Sequence, residues 1–169
     1  LKEINHYLPE DISVLQIEKA PQRFHARFNA VKKTYTYQVW TSESPPVFER
    51  LYVHQIKAHS LDLLRMKRAS EHFIGTHDFR GFTTEKTKKS TTRNIERIDF
   101  VQEGPVLKMV FVGDGFLYNM VRILVGTLLE IGIGTRDEES IVKVFESGDR
   151  SKAGETAPAK GLFLTEVFY

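Results

Sequence analysis

Two strand-like segments joined by a tight turn constrain the fold of this chain more than any other feature. Residues 92–101 and 106–112 are rich in residue types that favour strands, and Glu103-Gly104-Pro105 between them is a typical turn sequence. A connection this short joins antiparallel strands, because parallel strands need a long crossover. The pattern therefore predicts a hairpin and excludes an all-parallel sheet.

The other patterns alternate between the two kinds of secondary structure. Sheet-favouring residues and apolar alternation predict further strands over residues 12–17, 34–40 and 162–168. Helical spacing of apolar residues predicts helices over residues 60–74, 116–131 and 137–145. The chain has 169 residues, which suits one domain. We expect an α+β fold, with a mixed or antiparallel sheet and helices packed on one face.

The composition excludes several classes of protein. The chain contains no cysteine, so disulfides, zinc ribbons and cysteine nucleophiles are ruled out. No apolar stretch approaches the length of a membrane span. An apolar fraction of 41% with 27% charged residues is typical of globular proteins. We therefore expect a soluble globular domain with no membrane segment.

Positive charge is concentrated in one part of the chain. The formal net charge is only +2, but residues 80–97 contain six basic residues against two acidic ones. Such a segment is either a solvated surface loop or a loop that contacts the phosphates of a nucleic acid. The sequence leaves both interpretations open.

His72, His77 and Asp78 suggest a metal site, because histidine and aspartate are common metal ligands. Their spacing differs from that of the zinc-binding helix motif, and no second ligand cluster accompanies them. The alternative is a turn after a helix, with Asp78 accepting hydrogen bonds from nearby backbone amides, and the sequence favours it. Asp114 is interpreted in the same way, as a turn or N-cap residue.

Arg122 interrupts the longest apolar helical stretch, residues 116–131. A guanidinium is costly to bury unless it is paired with an anion or faces a cleft. One interpretation places Arg122 on the solvent side of an amphipathic helix, beside Tyr118 and Asn119. The other places it in a cleft, where it awaits a carboxylate or a phosphate.

Two tyrosines lie two residues apart in the strand predicted over residues 34–40. Tyr35 and Tyr37 therefore point to the same face of the sheet, and Lys32 and Lys33 precede them. Aromatic rings beside basic residues form stacking platforms for bases. An aromatic pair in the core has the same pattern, so the residues alone leave RNA binding open.

Six segments carry further information when they are considered together. They are Leu8-Pro9-Glu10-Asp11-Ile12, Phe24-His25-Ala26-Arg27-Phe28-Asn29-Ala30, Lys33-Thr34-Tyr35-Thr36-Tyr37, Gly75-Thr76-His77-Asp78-Phe79, Gly113-Asp114-Gly115-Phe116-Leu117-Tyr118-Asn119-Met120-Val121-Arg122 and Thr156-Ala157-Pro158-Ala159-Lys160-Gly161-Leu162. In this order and at these separations they resemble the tRNA pseudouridine synthase A family, over essentially the whole chain.

The resemblance implies an enzyme that isomerises uridine to pseudouridine in the anticodon stem-loop of tRNA, at positions 38 to 40. It also implies a cytoplasmic homodimer that binds tRNA and needs no cofactor or metal for catalysis. The family's catalytic aspartate lies in a Gly-Arg-Thr-Asp motif that does not occur here, and Gly134-Thr135-Arg136-Asp137 has a different order. Because the chain begins at Leu1, we expect residues 1–169 to be a C-terminal domain. The motif would then lie upstream, and the isolated chain would be inactive.

Three positions match active-site residues of the family. By this resemblance, Tyr35 stacks on the target base, Arg122 pairs with the catalytic aspartate and Leu162 packs under the site. Further candidate contacts with RNA are His25, Arg27, Lys32, Lys33, Lys88, Lys89 and Arg93. Two other hypotheses remain: a non-catalytic RNA-binding module with the same surface, and a metal-dependent hydrolase built on the two histidines and Asp78.

Overall fold

The computed structural model describes residues 1–56, 61–86 and 89–169. This part of the chain forms one mixed sheet and several helices. The strands are β1 (Lys32–Trp40), β2 (His54–Gln55), β3 (Gly75–Asp78), β4 (Thr92–Glu103), β5 (Val106–Gly113) and β6 (Leu162–Phe168). The α-helices are α1 (Lys2–Tyr7), α2 (Leu63–Ser70), α3 (Met120–Ile133) and α4 (Ser140–Ser147). Within the described residues, no helix combines the length and the apolar character needed to cross a membrane.

The first strand organises the sheet. One edge of β1 pairs antiparallel with β5, which continues through β4 to β3. The other edge pairs antiparallel with β6 and, at its far end, parallel with β2. The β4–β5 hairpin turns at Gly104, whose φ of +55° suits glycine. The predicted hairpin and the mixed sheet are both confirmed.

The core lies on one face of the sheet, because side chains alternate along each strand. Tyr37 and Val39 of β1 pair with Met109 and Leu107 of β5, and all four are fully buried. They join one apolar cluster with residues of α2, α3 and α4. The helices therefore pack on one face, as predicted, and α3 is buried almost all round.

The bounds of all three predicted helices moved: the helix predicted over residues 137–145 is α4 (Ser140–Ser147), and the other two begin later for local reasons. The helix predicted from residue 116 begins at Met120, because Asn119 adopts a left-handed conformation with φ 59°. Ser60, where another helix was predicted to begin, lies outside the described residues. That helix, α2, begins at Leu63, and the side chain of Asp62 accepts a hydrogen bond from Arg65 N at 2.9 Å.

Two strand predictions were wrong. Residues 12–17 belong to no strand, because the backbone of Val14 is bonded in both directions to the side chain of Asn5, at 2.8 Å each. Gly75–Asp78 is not only a turn: it forms β3 and pairs with β4. This short strand fixes the start of β4, which leads to the cleft described next.

Candidate active site

A cleft of about 490 Å³ opens between β1, the start of β6 and the segment that enters α3. Tyr35, Arg122 and Leu162 line this cleft together. Other aromatic and basic residues complete its wall: Arg27, Lys89, Arg93, Phe116 and Tyr118. Folding thus brings together the three residues that the sequence analysis assigned to one site.

Tyr35 and Tyr37 have different environments although they share one face of β1. Tyr35 is half-buried in the cleft wall, and its ring meets Phe116 edge to face with a centroid separation of 5.2 Å. Burial raises the pKa of the Tyr35 hydroxyl, so it stays protonated at neutral pH. Tyr37 is fully buried and donates to the carbonyl of Pro158 at 2.7 Å. The cleft tyrosine is therefore Tyr35, and Tyr37 is the core aromatic.

Arg122 is half-buried and faces the cleft rather than open solvent. Its Nε donates to the carbonyl of Ala157 at 2.6 Å, and its Nη1 donates to Asn119 Oδ1 at 3.0 Å. Both acceptors are neutral, and no carboxylate in the described part of the chain forms an ion pair with this guanidinium. A half-buried cation without a counter-ion is suited to bind an anion that enters the cleft.

Asn119 connects Arg122 to residues 83–84. Its left-handed backbone turns the chain into α3, and asparagine tolerates that conformation better than most residues. Its Oδ1 accepts from Arg122, and its Nδ2 donates to Thr84 Oγ1 at 3.0 Å. The neighbouring Thr83 Oγ1 donates to the carbonyl of Tyr118 at 2.9 Å. These bonds fix the guanidinium from the side of residues 83–84.

The loop before β6 fixes the guanidinium from the other side. The backbone N–H of Ala157 donates to the carbonyl of Arg122 at 3.1 Å, so the two residues are bonded reciprocally. This close approach requires Gly126, because a Cβ there would lie 1.8 Å from the carbonyl oxygen of Glu155. Two more bonds hold the loop on α3: Gly154 N to Thr127 Oγ1 at 2.9 Å, and Glu155 N to Glu130 Oε1 at 2.7 Å.

Comparison with known proteins identifies the family. Residues 69–169 match the family described as tRNA pseudouridine synthase. The chain is 45% identical to tRNA pseudouridine synthase A of Clostridium kluyveri and to that of Bacillus subtilis. Each alignment covers 98% of this chain and, respectively, 68% and 67% of the relative. The chain belongs to the tRNA pseudouridine synthase A family. It spans about two thirds of the length of these relatives.

The basic residues assigned to RNA contact divide into two groups. Arg27, Lys89 and Arg93 line the synthase-family cleft. Arg93 is held by two backbone carbonyls, since its Nη1 donates to Ser90 O at 3.0 Å and to Thr92 O at 2.5 Å. These three cations give the cleft a positive rim, as expected for a surface that meets phosphates.

The other candidates lie outside the cleft lining. Lys32 forms an ion pair with Glu96 at 2.7 Å, and Lys33 is half-buried nearby on β1. His25 holds its own loop, because its Nδ1 accepts from the backbone N–H of Arg27 at 3.1 Å. Lys88 lies outside the described residues. His25 is thus bonded to the backbone of Arg27, which lines the cleft.

The three residues of the metal hypothesis do not form a site. A ring nitrogen of His77 is bonded to the carbonyl of Ile74 at 2.9 Å, and His72 is exposed. Asp78 accepts from the backbone N–H of Arg80 at 3.1 Å and forms an ion pair with the guanidinium of Arg80. Among the described residues, no group of three potential ligands could hold a metal ion. The local role predicted for Asp78 is confirmed.

Asp114 also has a structural role in this synthase fold. Its Oδ1 accepts from Asn94 N at 2.9 Å, and its own N–H donates to the carbonyl of Asn94 at 3.1 Å. The reciprocal pair closes the end of the β4–β5 ladder. Asp114 lies at a bend, but its bonds run across the sheet rather than within a turn, and an N-cap role is wrong because α3 begins at Met120.

Sequence reasoning missed the residues that position the guanidinium. Asn119 had a usable signal, since an asparagine directly before an apolar helix often adopts a left-handed conformation. The contribution of Ala157 left no signal, because it is made by backbone groups that every residue type carries. Gly126 inside a helix was also a signal, since glycine there is unfavourable unless packing requires it.

Proposed function

We propose that this chain carries the tyrosine, the arginine and the leucine of the active site of a tRNA pseudouridine synthase. The enzyme would isomerise uridine to pseudouridine in the anticodon stem-loop of tRNA, at positions 38 to 40. The observation that carries the proposal is the meeting of Tyr35, Arg122 and Leu162 in one cationic cleft. The names of the relatives support the substrate, and nothing favours a non-catalytic RNA-binding module.

The cleft suits capture of a nucleotide that has left the stack. A base in a stem is inaccessible until it flips out, which costs a few kcal/mol. Stacking on an aromatic ring offsets about 1–3 kcal/mol of that cost. Tyr35 presents such a ring, and its contact with Phe116 holds the ring in place. Leu162 supplies an apolar contact beneath the base.

The reaction is an isomerisation, so electrons and atoms balance within the nucleotide. The bond from C1′ to N1 of uracil breaks, a bond from C1′ to C5 forms, C5 loses a proton and N1 gains one. A carboxylate can act as nucleophile or as base in this sequence. We propose that this carboxylate is an aspartate outside these 169 residues, and that Arg122 pairs with it.

Arg122 fits that role because it lacks a carboxylate partner within the described residues, while Ala157 and Asn119 orient it. An adjacent guanidinium lowers the pKa of a carboxylate and keeps it ionised. The pairing would also offset the cost of burying the charged Arg122 within the apolar helix α3. In this arrangement the arginine tunes the aspartate, and the aspartate reacts with the nucleotide.

We propose that the full-length enzyme is a cytoplasmic homodimer. Large apolar side chains outside the sheet support additional packing partners: Leu15, Phe28 and Phe48 are 86%, 78% and 88% exposed. Sedimentation of the full-length protein measures the oligomeric state directly.

A tritium-release assay on unmodified tRNA labelled at C5 of uridine tests the function. We expect the full-length enzyme to release tritium and the isolated 169-residue chain to release none, while both bind tRNA. Absence of release by the full-length protein would reject the synthase function. Release by the isolated chain would instead place the catalytic carboxylate inside these residues.

A further inference from the structure

A second cleft, of about 600 Å³, lies beside the first. It is lined by Arg80, Lys86 and Arg150, and by hydroxyl-bearing side chains of residues 83, 84 and 91. Glu85 lines both clefts, so residues 83–86 form the ridge between them. Among the described residues, three cations and one carboxylate face this second cleft, which makes its net charge positive.

Arg80 is held in a defined position. Its guanidinium lies directly on Gly148, where a Cβ would approach Arg80 Nε to 2.0 Å. Gly148 has φ +62° and ends α4, a conformation that glycine adopts readily. Asp78 holds the same guanidinium at 3.5 Å from its Nε. Arg80 is therefore positioned before any ligand arrives, which lowers the entropic cost of binding.

Arg150 also lines this cleft. Its Nη2 donates to Thr156 Oγ1 at 3.0 Å, and its Nη1 is 3.5 Å from the carbonyl of Ala153. Its Nε is buried and has no hydrogen-bond partner in the part of the chain that the structure describes. Lys86 extends from the ridge between the clefts and is exposed. A polyanion that crosses the ridge would meet all three cations.

We propose that the second cleft binds the phosphate backbone of the same tRNA whose target nucleotide occupies the first cleft. This inference rests on the proposed function, because it takes RNA as the ligand. Arginine forks and lysine ammonium groups are the usual phosphate partners, and hydroxyls add neutral donors. The ridge is tied to the first cleft through Thr83, Thr84 and Asn119. Contacts in the second cleft would therefore set how the flipped nucleotide enters.

Charge removal in the full-length enzyme tests this site. Lys86→Gln and Arg80→Gln are compared with Arg97→Gln, a matched control. Arg97 forms an ion pair with an aspartate two residues away, as Arg80 does. Arg97 pairs with Val112 of β5, and the next residue along that strand, Phe111, points into the core beneath the helices. Because side chains alternate along a strand, Val112 and Arg97 lie on the other face of the sheet, away from the helices.

The measurement is the dissociation constant for tRNA as a function of salt concentration. We expect Lys86→Gln and Arg80→Gln to weaken binding about two- to fivefold at moderate salt. Each lost phosphate contact should also reduce the salt slope of log K by about 0.7–0.9. Arg97→Gln should change neither quantity. Melting temperatures separate these effects from unfolding, and the exposed Lys86 provides a variant whose fold is not at risk.

Two results would overturn the inference. The first result is that Lys86→Gln and Arg80→Gln both bind tRNA with the affinity and the salt slope of the unsubstituted enzyme. The other is an equal loss in Arg97→Gln, which would indicate a diffuse effect of net charge. If the enzyme bound tRNA through this cleft but formed no pseudouridine, the proposed function would fail and the binding site would stand.

Discussion

Tyr35 and Tyr37 stand two residues apart on the same face of β1, yet the first lines the cleft and the second lies in the core. In the core, the Tyr37 hydroxyl donates to the Pro158 carbonyl, and no surface of the side chain remains exposed. In the cleft, the ring of Tyr35 contacts Phe116 edge to face and lines the open volume.

Two arginines at the two ends of α3 also differ in their partners. Arg136, at the far end of α3, is paired with Glu130 at 2.7 Å and donates to the carbonyl of Lys152. Arg122, at the cleft end, has two neutral acceptors and no carboxylate among the described residues. Arg136 is thus paired within the chain, whereas Arg122 remains able to bind an anion. Substitutions in the cleft should reduce activity, and those in the core should reduce stability.

The largest effect should follow Arg122→Met in the full-length enzyme, because the catalytic aspartate loses its cation. The pKa of that aspartate should rise, and single-turnover rates should fall by about 10²- to 10³-fold, the range for loss of one preorganised hydrogen-bond donor in an active site. The affinity for tRNA should change little, since no phosphate contact is lost. Arg136→Met is the control, and it should lower the melting temperature instead. A wild-type rate for Arg122→Met would refute the site assignment.

The next largest effect should be that of Tyr35→Ala, which removes the stacking ring. Loss of about 1–3 kcal/mol of stacking weakens capture of the flipped base by about five- to 150-fold. Tyr35→Phe keeps the ring and should retain tRNA binding. The single-turnover rate of Tyr35→Phe then shows what the hydroxyl contributes. A moderate decrease indicates that the hydroxyl orders the site, and a near-complete loss indicates that it transfers the C5 proton. If Tyr35→Ala lowered only the melting temperature, the residue would belong to the core after all.

Gly126→Ala should affect both regions, because Gly126 lies where the loop before β6 packs on α3. The added methyl group would displace Glu155 and with it Ala157, the acceptor for Arg122 Nε. Overpacking of this kind costs about 1–3 kcal/mol of stability. We also expect a lower single-turnover rate at a temperature where the variant is folded. A loss of stability with an unchanged rate would show that the loop does not position the arginine.

The smallest effect should be that of Tyr37→Phe, which leaves the Pro158 carbonyl without its donor. The expected loss is about 1 kcal/mol of unfolding free energy, with little change in rate. Burial raises the pKa of Tyr37 above its ordinary value of 10.0. As the pH rises, the Tyr37 hydroxyl therefore loses its proton in the unfolded chain before it does so in the folded protein. The free energy of unfolding of the unsubstituted protein should thus decrease as the pH rises above about 10. Urea titrations across that range should show a weaker pH dependence in Tyr37→Phe.

Much of the fold followed from local patterns. The hairpin, β1 and β6 were predicted because strand-favouring residues and turn sequences act over a few neighbouring positions. β3 was missed because its four residues form a strand only by pairing with β4. The strand predicted over residues 12–17 failed for the converse reason, since the side chain of Asn5 occupies the backbone groups of Val14 that a neighbouring strand would use.

By itself, the sequence determined the α+β class, the family and the residue types of the site. Strand periodicity left open which tyrosine faces the cleft, because both share one face of β1. The family resemblance pointed to Tyr35, and Tyr35 lines the cleft in the tertiary structure. Only the tertiary structure decided that Arg122 is held by Ala157, 35 positions away along the chain. Periodicity specifies which face a side chain occupies, but what covers that face depends on packing between distant segments. For the same reason the second cleft, which joins Arg80 to Arg150 across Gly148, had no counterpart in the sequence pattern.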